Sequence, residues 1–235
     1  MSDGFGTDDR PLGEPVDWAP VEVPSGEPLR GSQVVLRPLD PAGDAAPLFA
    51  ATEGDPTLWD YLPDGPYESR EALERTLAWE RDAEGWVYYA IEPLAVGHAS
   101  GQASYLRIEP AVGTIEIGHI WFAPELKRTT AATEAIYLLA RHAFDDLGYR
   151  RLEWKCNALN AASRAAAERF GFRFEGVFRK HQVVKGRNRD TAWFAIVDDE
   201  WPAVRAAFEA WLAADNFAAD GTQRRALGEL MPPRA

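Results

Sequence analysis

The sequence predicts one α+β domain with a mixed, mostly antiparallel central sheet that is flanked by helices. Segments with an apolar residue at every second position alternate with segments of helical period, in a mixed order. Three of the strand-like segments follow one another with only short turns between them, which is typical of an antiparallel meander. Together these patterns indicate a layered domain built from one sheet and several helices.

Composition and charge exclude several classes of protein. The 235 residues suffice to bury a large core, and the formal net charge of -12 argues against a protein that neutralises nucleic-acid phosphates. No stretch approaches the roughly 18 apolar residues of a membrane span. A single cysteine excludes an internal disulfide framework, and the four histidines show no metal-ligand spacing. We therefore expect a cytoplasmic protein with no metal and with no nucleic-acid or membrane partner.

Domain boundaries follow from shifts in composition. Residues 1–31 are rich in Gly, Pro, Asp and Glu without a period, which predicts an extended arm that Trp18 and Val21 could tether to the body. The folded domain is expected to span residues 32–213. Residues 214–235 form a tail with little hydrophobic pattern.

The first third of the domain contains one predicted strand and two predicted helices. Residues 33–38 are typical of a strand, and residues 44–52 of a short helix with Asp44 as a candidate cap. Ser69 is expected to cap the second helix. The residues of this helix that are predicted to face inward are Leu73, Leu77 and Trp79.

The loop between these two helices, residues 55–67, is unusually apolar and aromatic. Trp59, Tyr61 and Tyr67 either form a small hydrophobic cluster that pins the loop or line one wall of a substrate pocket. The sequence leaves both interpretations open.

The rest of the domain alternates between strands and helices. Residues 86–92, 99–108 and 113–122 form the predicted meander. The later elements are a strand at 151–157, a helix at 160–170, a long hairpin of strands 172–184 and 190–197, and a helix at 200–213. Cys156 lies in the middle of its strand among apolar neighbours and is interpreted as a core residue.

The stretch 115–134 combines a buried strand, a tight loop and the first turn of a long helix. Strict alternation gives the strand two faces, with Ile115, Ile117 and Trp121 on one and Glu116, Gly118, Ile120 and Phe122 on the other. Pro124 ends the strand because it has no N–H for a ladder. The apolar stripe of the helix, which Gly148 should end, consists of Ile136, Leu139, Ala140, Ala143, Phe144 and Leu147.

The first turn of this helix is a candidate anion site. Its first four N–H groups have no partner inside the helix and carry the positive end of the helix dipole. The amides of residues 127–132 would therefore suit a phosphate or pyrophosphate. The alternative is an ordinary helix start, with Thr129 or Thr130 as the N-cap and Glu134 offsetting the dipole.

Four motifs in a fixed order carry a family resemblance. They are Glu116-Ile-Gly-His119, Ala132-Thr-Glu-Ala135, Asn160-Ala-Ala-Ser163 and Arg169-Phe-Gly-Phe-Arg-Phe-Glu-Gly176. At these positions the chain resembles the GNAT acetyltransferases, and most closely their ribosomal-protein alanine N-acetyltransferase branch. The resemblance covers residues 34–213.

The resemblance implies a sheet that splays between two parallel strands, here residues 115–122 and 151–157, with acetyl-CoA as co-substrate in the gap. Family members hold the pantetheine arm through strand backbone, which corresponds to Ile120, Trp121 and Phe122, and through the equivalent of Asn160. They hold the pyrophosphate through the loop and first helical turn, which corresponds to Lys127, Arg128, Thr129, Thr130, Ala131, Ala132 and Thr133.

One position of this loop departs from the family pattern Arg/Gln-x-x-Gly-x-Gly/Ala. Lys127 takes the first place, Thr130 takes the place of the usual glycine, and Ala132 takes the last. Glycine tolerates a positive φ, whereas a β-branched threonine does not. We predict helical φ and ψ at Thr130, which would leave the approach of a phosphate unobstructed.

Acetyl transfer to an amine needs a neutral nucleophile, so a proton must be removed from the ammonium. Glu116 is the expected base, because this branch of the family often has a glutamate at that position. The alternative is a half-buried carboxylate that pairs with Arg107 or Lys155. His119 is the second candidate, although both side chains can line one pocket only if the strand contains a bulge.

The transfer also needs a polarised carbonyl and a stabilised leaving thiolate. A backbone N–H near Ile120 or Trp121 is expected to meet the oxyanion. By resemblance, Ser163 is expected to serve the leaving sulfur. The alternative for Asn160 and Ser163 is helix capping, which their positions also explain.

The predicted function is therefore acetyl transfer from acetyl-CoA to a primary amine by direct attack in a ternary complex. The acceptor would be a small molecule or a protein N-terminus, and the long hairpin is compatible with a homodimer. Two alternatives remain: a CoA-binding module without catalysis, which Thr130 favours, and a docking domain that uses the aromatic loop. The basic hairpin residues, interpreted as a solvated surface, are Arg179, Lys180, Lys185, Arg187 and Arg189.

Overall fold

The computed structural model describes residues 12–233, and eight strands within them form a single sheet. In chain order they are β1 (Leu29–Arg30), β2 (Val34–Pro38), β3 (Val87–Pro93), β4 (Gly101–Glu109), β5 (Thr114–Phe122), β6 (Arg151–Asn157), β7 (Arg173–Val184) and β8 (Arg187–Val197). The spatial order is β1-β2-β3-β4-β5-β6-β8-β7. Among these eight described strands, β5 and β6 form a parallel pair and the other neighbours are antiparallel, which confirms the predicted fold class.

The helices of residues 12–233 cover the two faces of this sheet. They are α1 (Pro41–Thr52), α2 (Arg70–Arg81), α3 (Thr130–Arg141), α4 (Ala161–Arg169), α5 (Trp201–Leu212) and α6 (Leu227–Leu230). Short 3-10 turns cover Pro56–Trp59 and Ala214–Asn216, and a π turn at His142–Asp146 extends α3. In the described part of the chain, no helix is long and apolar enough to cross a membrane.

Two hydrophobic cores lie on opposite faces of the sheet. The larger core joins the sheet to α3, α4 and α5, and the smaller one joins it to α1 and α2. Strand β3 shows the alternation that separates them, because Tyr89 and Ile91 belong to the larger core whereas Tyr88 and Ala90 belong to the smaller one. The stripe predicted for the central helix lies in the larger core, with Leu147 at its margin.

Strands β5 and β6 pair over only part of their length. The parallel ladder runs from Thr114 and Arg151 to Ile117 and Trp154. Beyond these residues β5 continues to Phe122 and β6 to Asn157, with no further pairing between the two strands in the described ladder. The sheet therefore opens into a wedge at its centre, as the resemblance implied.

A β-bulge changes the predicted faces of β5. Between the pairs Ser104–Gly118 and Gln102–Trp121 the register shifts, and His119 there has a φ of 48°. Ile115 and Ile117 lie in the larger core, but beyond the bulge Trp121 lies in the smaller core. The prediction that Trp121 shares a face with Ile117 was wrong, because the extra residue reverses the alternation.

Two predictions for the first helices were also wrong. Asp44 does not cap α1; its N-cap is Asp40, and the buried Asp44 carboxylate pairs with Arg37 inside the fold. Trp79 is 64% exposed. It follows the buried Leu77 by two positions, which is about 200° around a helix, so the two side chains cannot share a face.

The arm and the tail both contact the domain. Trp18 lies under the Arg150 guanidinium at 6.0 Å, and Val21 packs against the larger core. The predicted arm ends in β1, and its first part, residues 1–11, lies outside the described residues. In the tail, Leu227 is fully buried, so this segment contains more core packing than its sequence pattern indicated.

Glu134 fastens α3 to the turn between β1 and β2. Its carboxylate accepts hydrogen bonds from the Ser32 N–H at 2.8 Å, the Ser32 hydroxyl at 2.9 Å and the Gln33 N–H at 2.6 Å. We expect Glu134→Ala to lower the free energy of unfolding by about 2 kcal/mol, because it leaves part-buried donors unpaired. Urea denaturation checks this, with the exposed turn residue Glu84 changed to Ala as a control that should leave stability unchanged. A change no larger than the control's would contradict the prediction.

Candidate active site

The loop between β5 and α3 ends in a capped helix start, which was predicted as the alternative to an anion site. Thr129 is the N-cap, and its hydroxyl oxygen accepts a hydrogen bond from the Ala132 N–H at 3.1 Å. Thr130 is the first residue of α3, and the positive φ of the loop, 65°, falls on Arg128. Thr130 therefore has the helical conformation that we predicted, and the position does not require glycine.

Half of the predicted donor amides remain available for an anion. Those of Lys127, Thr129 and Ala132 are already bonded within the loop. Within residues 12–233, no acceptor is bonded to the amides of Arg128, Thr130 and Ala131. These three N–H groups lie at the positive end of α3, which suits a phosphate or pyrophosphate.

Two cationic side chains lie beside this helix start. Arg169, at the end of α4, donates a hydrogen bond to the Thr133 hydroxyl at 3.2 Å, and burial lowers the pKa of its guanidinium. The Lys127 ammonium pairs with Asp55 at 3.1 Å on the surface. An anion at the free amides would therefore lie near positive charge as well as helix dipole.

Ser163 and Asn160 lie at the end of the paired part of the wedge. The Asn160 side chain caps α4 by accepting a hydrogen bond from the Ser163 N–H at 3.0 Å. The Ser163 hydroxyl oxygen accepts a hydrogen bond from the Trp154 indole N–H at 3.0 Å. Trp154 is the last residue of β6 that pairs with β5. The cap predicted as an alternative is thus present, and the Ser163 hydroxyl proton is still able to donate.

Cys156 lies close to this hydroxyl on β6. Burial raises the pKa of its thiol, although Ser163 and the charges of Arg189 and Arg164 oppose the shift. The thiol is buried, as predicted for a core residue.

Glu116 lies on the sheet face opposite α3 and is almost completely buried. Its carboxylate pairs with the Lys155 ammonium at 2.9 Å and the Arg107 guanidinium at 2.5 Å, so the predicted ion-pair alternative is present. Lys155 also pairs with Glu153 at 2.6 Å and lies 3.7 Å from the centre of the Trp193 ring. Burial raises the pKa of Glu153, but Lys155 and Arg151 outweigh it and leave the pKa below its usual value.

His119 lies on the same sheet face as Glu116 because of the bulge. Its ring contacts Asp64 of the α1–α2 loop, Glu80 of α2 and Tyr88 of β3. The sequence identified His119 as a candidate but gave no signal for these partners, which are distant in the chain. Asp64, Glu80 and His119 are also the described residues that could together offer three ligand atoms to a metal.

The α1–α2 loop and the β7–β8 hairpin meet across the wedge. The Lys185 ammonium at the hairpin turn donates hydrogen bonds to the Trp59 carbonyl at 2.8 Å and the Asp64 carbonyl at 2.7 Å. Trp59 is buried against Tyr67 and Trp121, with ring centres 5.0 and 5.3 Å away. Trp59 and Tyr67 therefore belong to a hydrophobic cluster that pins the loop, while Tyr61 is more exposed.

Comparisons with known proteins identify relatives over most of the chain. The pattern of the acetyltransferase (GNAT) domain matches residues 33–173. A crystal structure of a GCN5-related N-acetyltransferase from Brucella melitensis is 44% identical, with a TM-score of 0.89 over 91% of this chain and 98% of that one. A protein from Chromobacterium violaceum that is assigned to the same family is 42% identical, with a TM-score of 0.77 over 84% of this chain and all of that one.

A curated relative is more distant. YdaF of Bacillus subtilis, provisionally named a ribosomal N-acetyltransferase, is 30% identical over 105 residues, which are 45% of this chain. The match spans 57% of the length of YdaF.

Proposed function

Because the chain belongs to the GNAT acetyltransferase family, we propose that it transfers an acetyl group from acetyl-CoA to a primary amine. The reaction would be a direct attack of the amine on the thioester while both substrates are bound. The acceptor is proposed to be a protein N-terminus or a small amine, and the name of the Bacillus relative favours the former.

The observation that carries this proposal is the open wedge beside unpaired amides. Arg128, Thr130 and Ala131 offer unpaired N–H groups at the N-terminus of α3, and the Arg169 guanidinium lies nearby. A pyrophosphate bound there would direct the pantetheine arm along the unpaired end of β5. Ile120, Trp121 and Phe122 would supply the backbone contacts, and Asn160 would hold a pantetheine amide.

The catalytic steps follow from the groups that flank the wedge. We propose that Glu116 first draws the proton from the ammonium through a water molecule, and that a backbone N–H near Ile120 or Trp121 stabilises the oxyanion. The nitrogen–carbon bond then forms and the carbon–sulfur bond breaks. As the carbon–sulfur bond breaks, the nitrogen loses a second proton, and we propose that it reaches the leaving sulfur through the Ser163 hydroxyl. Ser163 donates its own proton to the sulfur and takes up the proton from the nitrogen, so it ends neutral, while its oxygen also accepts the Trp154 N–H.

Each of the two alternative functions was suggested by a sequence feature that has another explanation in the structure. A CoA-binding module without catalysis was suggested by Thr130, but this residue has the helical conformation that its side chain tolerates. A docking domain was suggested by the aromatic loop, but Trp59 and Tyr67 pack against the smaller core.

We expect the purified chain to release free CoA thiol from acetyl-CoA when it is offered peptide N-termini, polyamines or aminoglycosides. Glu116→Gln and Ser163→Ala should each lower kcat by about 100-fold, since each removes a proton-transfer group, with little change in the Kd of CoA. Glu153→Gln is the matched control, because it breaks the other ion pair of Lys155 on the same sheet face and should retain most of kcat.

Each negative result has its own meaning. No turnover of any amine by the wild-type chain would refute the proposed function. Turnover that survives Glu116→Gln or Ser163→Ala would refute only the role given to that residue.

A further inference from the structure

The ring of His119 is held between two carboxylates. Its Nε2 lies 3.0 Å from an Asp64 oxygen, and its Nδ1 lies 3.3 Å from a Glu80 oxygen and 2.9 Å from the Tyr88 hydroxyl. The side chains of His119 and Glu80 are only 8% and 2% exposed, whereas that of Asp64 is 28% exposed. The cluster thus has one end that reaches solvent and one that is buried.

The surroundings of the ring come from every element packed against it. The Tyr67 hydroxyl donates to the second Asp64 oxygen at 2.6 Å, and the rings of Trp86 and Tyr88 pack against the imidazole. Among the described residues, the second oxygen of Glu80 and both polar atoms of the Gln102 side chain have no hydrogen-bond partner. Gln102 is fully buried and lies close enough to favour the ionised form of Glu80.

The charges of this cluster act on one another. Burial lowers the pKa of His119, but Asp64 and Glu80 outweigh it and leave the pKa raised. Burial raises the pKa of Asp64, but the hydrogen bond and charge of His119 leave it below its usual value. Burial raises the pKa of Glu80 to about 7, against the opposing charge of His119. The pKa values of His119 and Glu80 therefore both lie above their ordinary values, whereas the pKa of Asp64 lies below its own.

The geometry suits a proton better than a metal ion. A metal would bind one nitrogen of the imidazole, yet the two carboxylates face opposite nitrogens of the ring. An imidazolium donates from both nitrogens, so it satisfies both carboxylates at once.

The position of the cluster connects it to the acceptor side of the wedge. His119 is the bulge residue of β5 and precedes Ile120, where the strand is no longer paired with β6. Asp64 lies in the loop that Lys185 joins to the hairpin across the wedge. The part-exposed Asp64 therefore lies in a loop that borders the wedge, on the sheet face that carries Glu116.

Glu116 is poorly placed to keep a proton. Lys155 is only 4% exposed. If Glu116 were protonated, the positive charges of Lys155 and Arg107 would lose the negative charge that they share. A cluster of two carboxylates and a neutral imidazole carries a charge of −2, and it gains stability when one proton is added. The amine proton therefore needs a second destination, and this cluster can accept it.

We infer that Asp64, His119 and Glu80 form a proton relay that takes up the proton released by the acceptor ammonium. In this step the ammonium N–H bond breaks, and the proton passes by way of Asp64 to Nε2 of His119. The cluster changes from a charge of −2 to −1 while the amine becomes neutral and able to attack. The inference rests on the proposed function, in which Glu116 provides only the first, transient contact with the proton.

The test is the dependence of kcat/KM for the acceptor on pH. We expect the wild-type value to rise with pH through an inflection above 6.5, the ordinary pKa of histidine. Asp64→Asn and Glu80→Gln should move this inflection to lower pH, because each removes a charge that stabilises the imidazolium. His119→Asn, which tolerates the positive φ, should abolish the inflection and lower the plateau about 100-fold. Glu92→Gln, a carboxylate paired with Arg37 elsewhere on β3, is the control.

A second readout does not depend on turnover. In nuclear magnetic resonance spectra of the imidazole nitrogens, the His119 signals can be assigned from the His119→Asn variant. Their transition from imidazolium to neutral imidazole should lie above pH 6.5. Glu80→Gln should shift this transition to lower pH. A neutral His119 ring at pH 6, or a metal ion bound at one per chain, would overturn the relay.

The possible failures can be told apart. If the wild-type chain acetylates an amine but the pH profile is the same in all three variants, the relay is wrong and the proposed function stands. If the wild-type chain turns over no amine, the proposed function fails and the relay loses its role with it.

Discussion

Replacing Thr130 with aspartate is expected to abolish tight CoA binding while leaving the protein at least as stable as before. Thr130 is the first residue of α3, where a negative side chain interacts favourably with the helix dipole and contributes about 0.3–1 kcal/mol. The same carboxylate would occupy the N-terminus of α3, which we propose as the pyrophosphate site. Repulsion between like charges costs several kcal/mol, so the Kd of CoA should rise at least about 100-fold.

Isothermal titration calorimetry measures the binding, and thermal denaturation measures the stability. Thr130→Gly, which restores the residue usual in the family, should bind CoA nearly as well as the wild type because the backbone there is already helical. Arg70→Asp makes an acidic change at the first position of α2 and should leave CoA binding intact. If Thr130→Asp bound CoA as tightly as the wild type, the pyrophosphate would have to lie elsewhere.

The second large effect is expected at Lys155, whose ammonium is buried between Glu116 and Glu153. Lys155→Met should lower the free energy of unfolding by about 3 kcal/mol, because both carboxylates lose their buried partner and keep only the more exposed Arg107 and Arg151. It also removes the contact with the Trp193 ring. Lys155→Arg, which keeps the charge, should cost clearly less. Urea denaturation at pH 7 compares the three proteins.

The dependence of this loss on pH has a definite sign. The pKa of Glu153 is lowered in the folded protein, so its contribution is present above its usual value of 4.5 and is lost as the pH falls. The difference between Lys155→Met and the wild type should therefore be largest at neutral pH and decrease below pH 4.5. A loss under 1 kcal/mol, or one that grows on acidification, would contradict the role given to Lys155.

Local signals in the sequence predicted those features of the candidate site that lie within a single segment of the chain. The helix start at Thr129, the conformation of Thr130 and the closure of the long helix near Gly148 depend on short-range backbone chemistry. The cap at Ser69 is of the same kind, and its hydroxyl oxygen accepts the Ala72 N–H. These features need no knowledge of distant residues, which is why the sequence was sufficient for them.

The features that sequence analysis missed depend on contacts between distant segments. The bulge at His119 leaves no signal in the sequence. Both faces of β5 are buried, so apolar residues fit on either face and the pattern does not show where the faces exchange. The partners of His119 lie 55 and 39 positions earlier in the chain, as the numbers of Asp64 and Glu80 show. Trp79 was misplaced because its size favoured burial, while its position on the helix directs it to solvent.

The bulge also has a mechanical consequence. Because the faces of β5 exchange at His119, this single strand supplies Ile115 and Ile117 to the larger core and Trp121 to the smaller one. Pulling β5 out of the sheet would therefore expose both cores to water together. Because the two cores share this strand, we expect the larger core and the smaller core to unfold together.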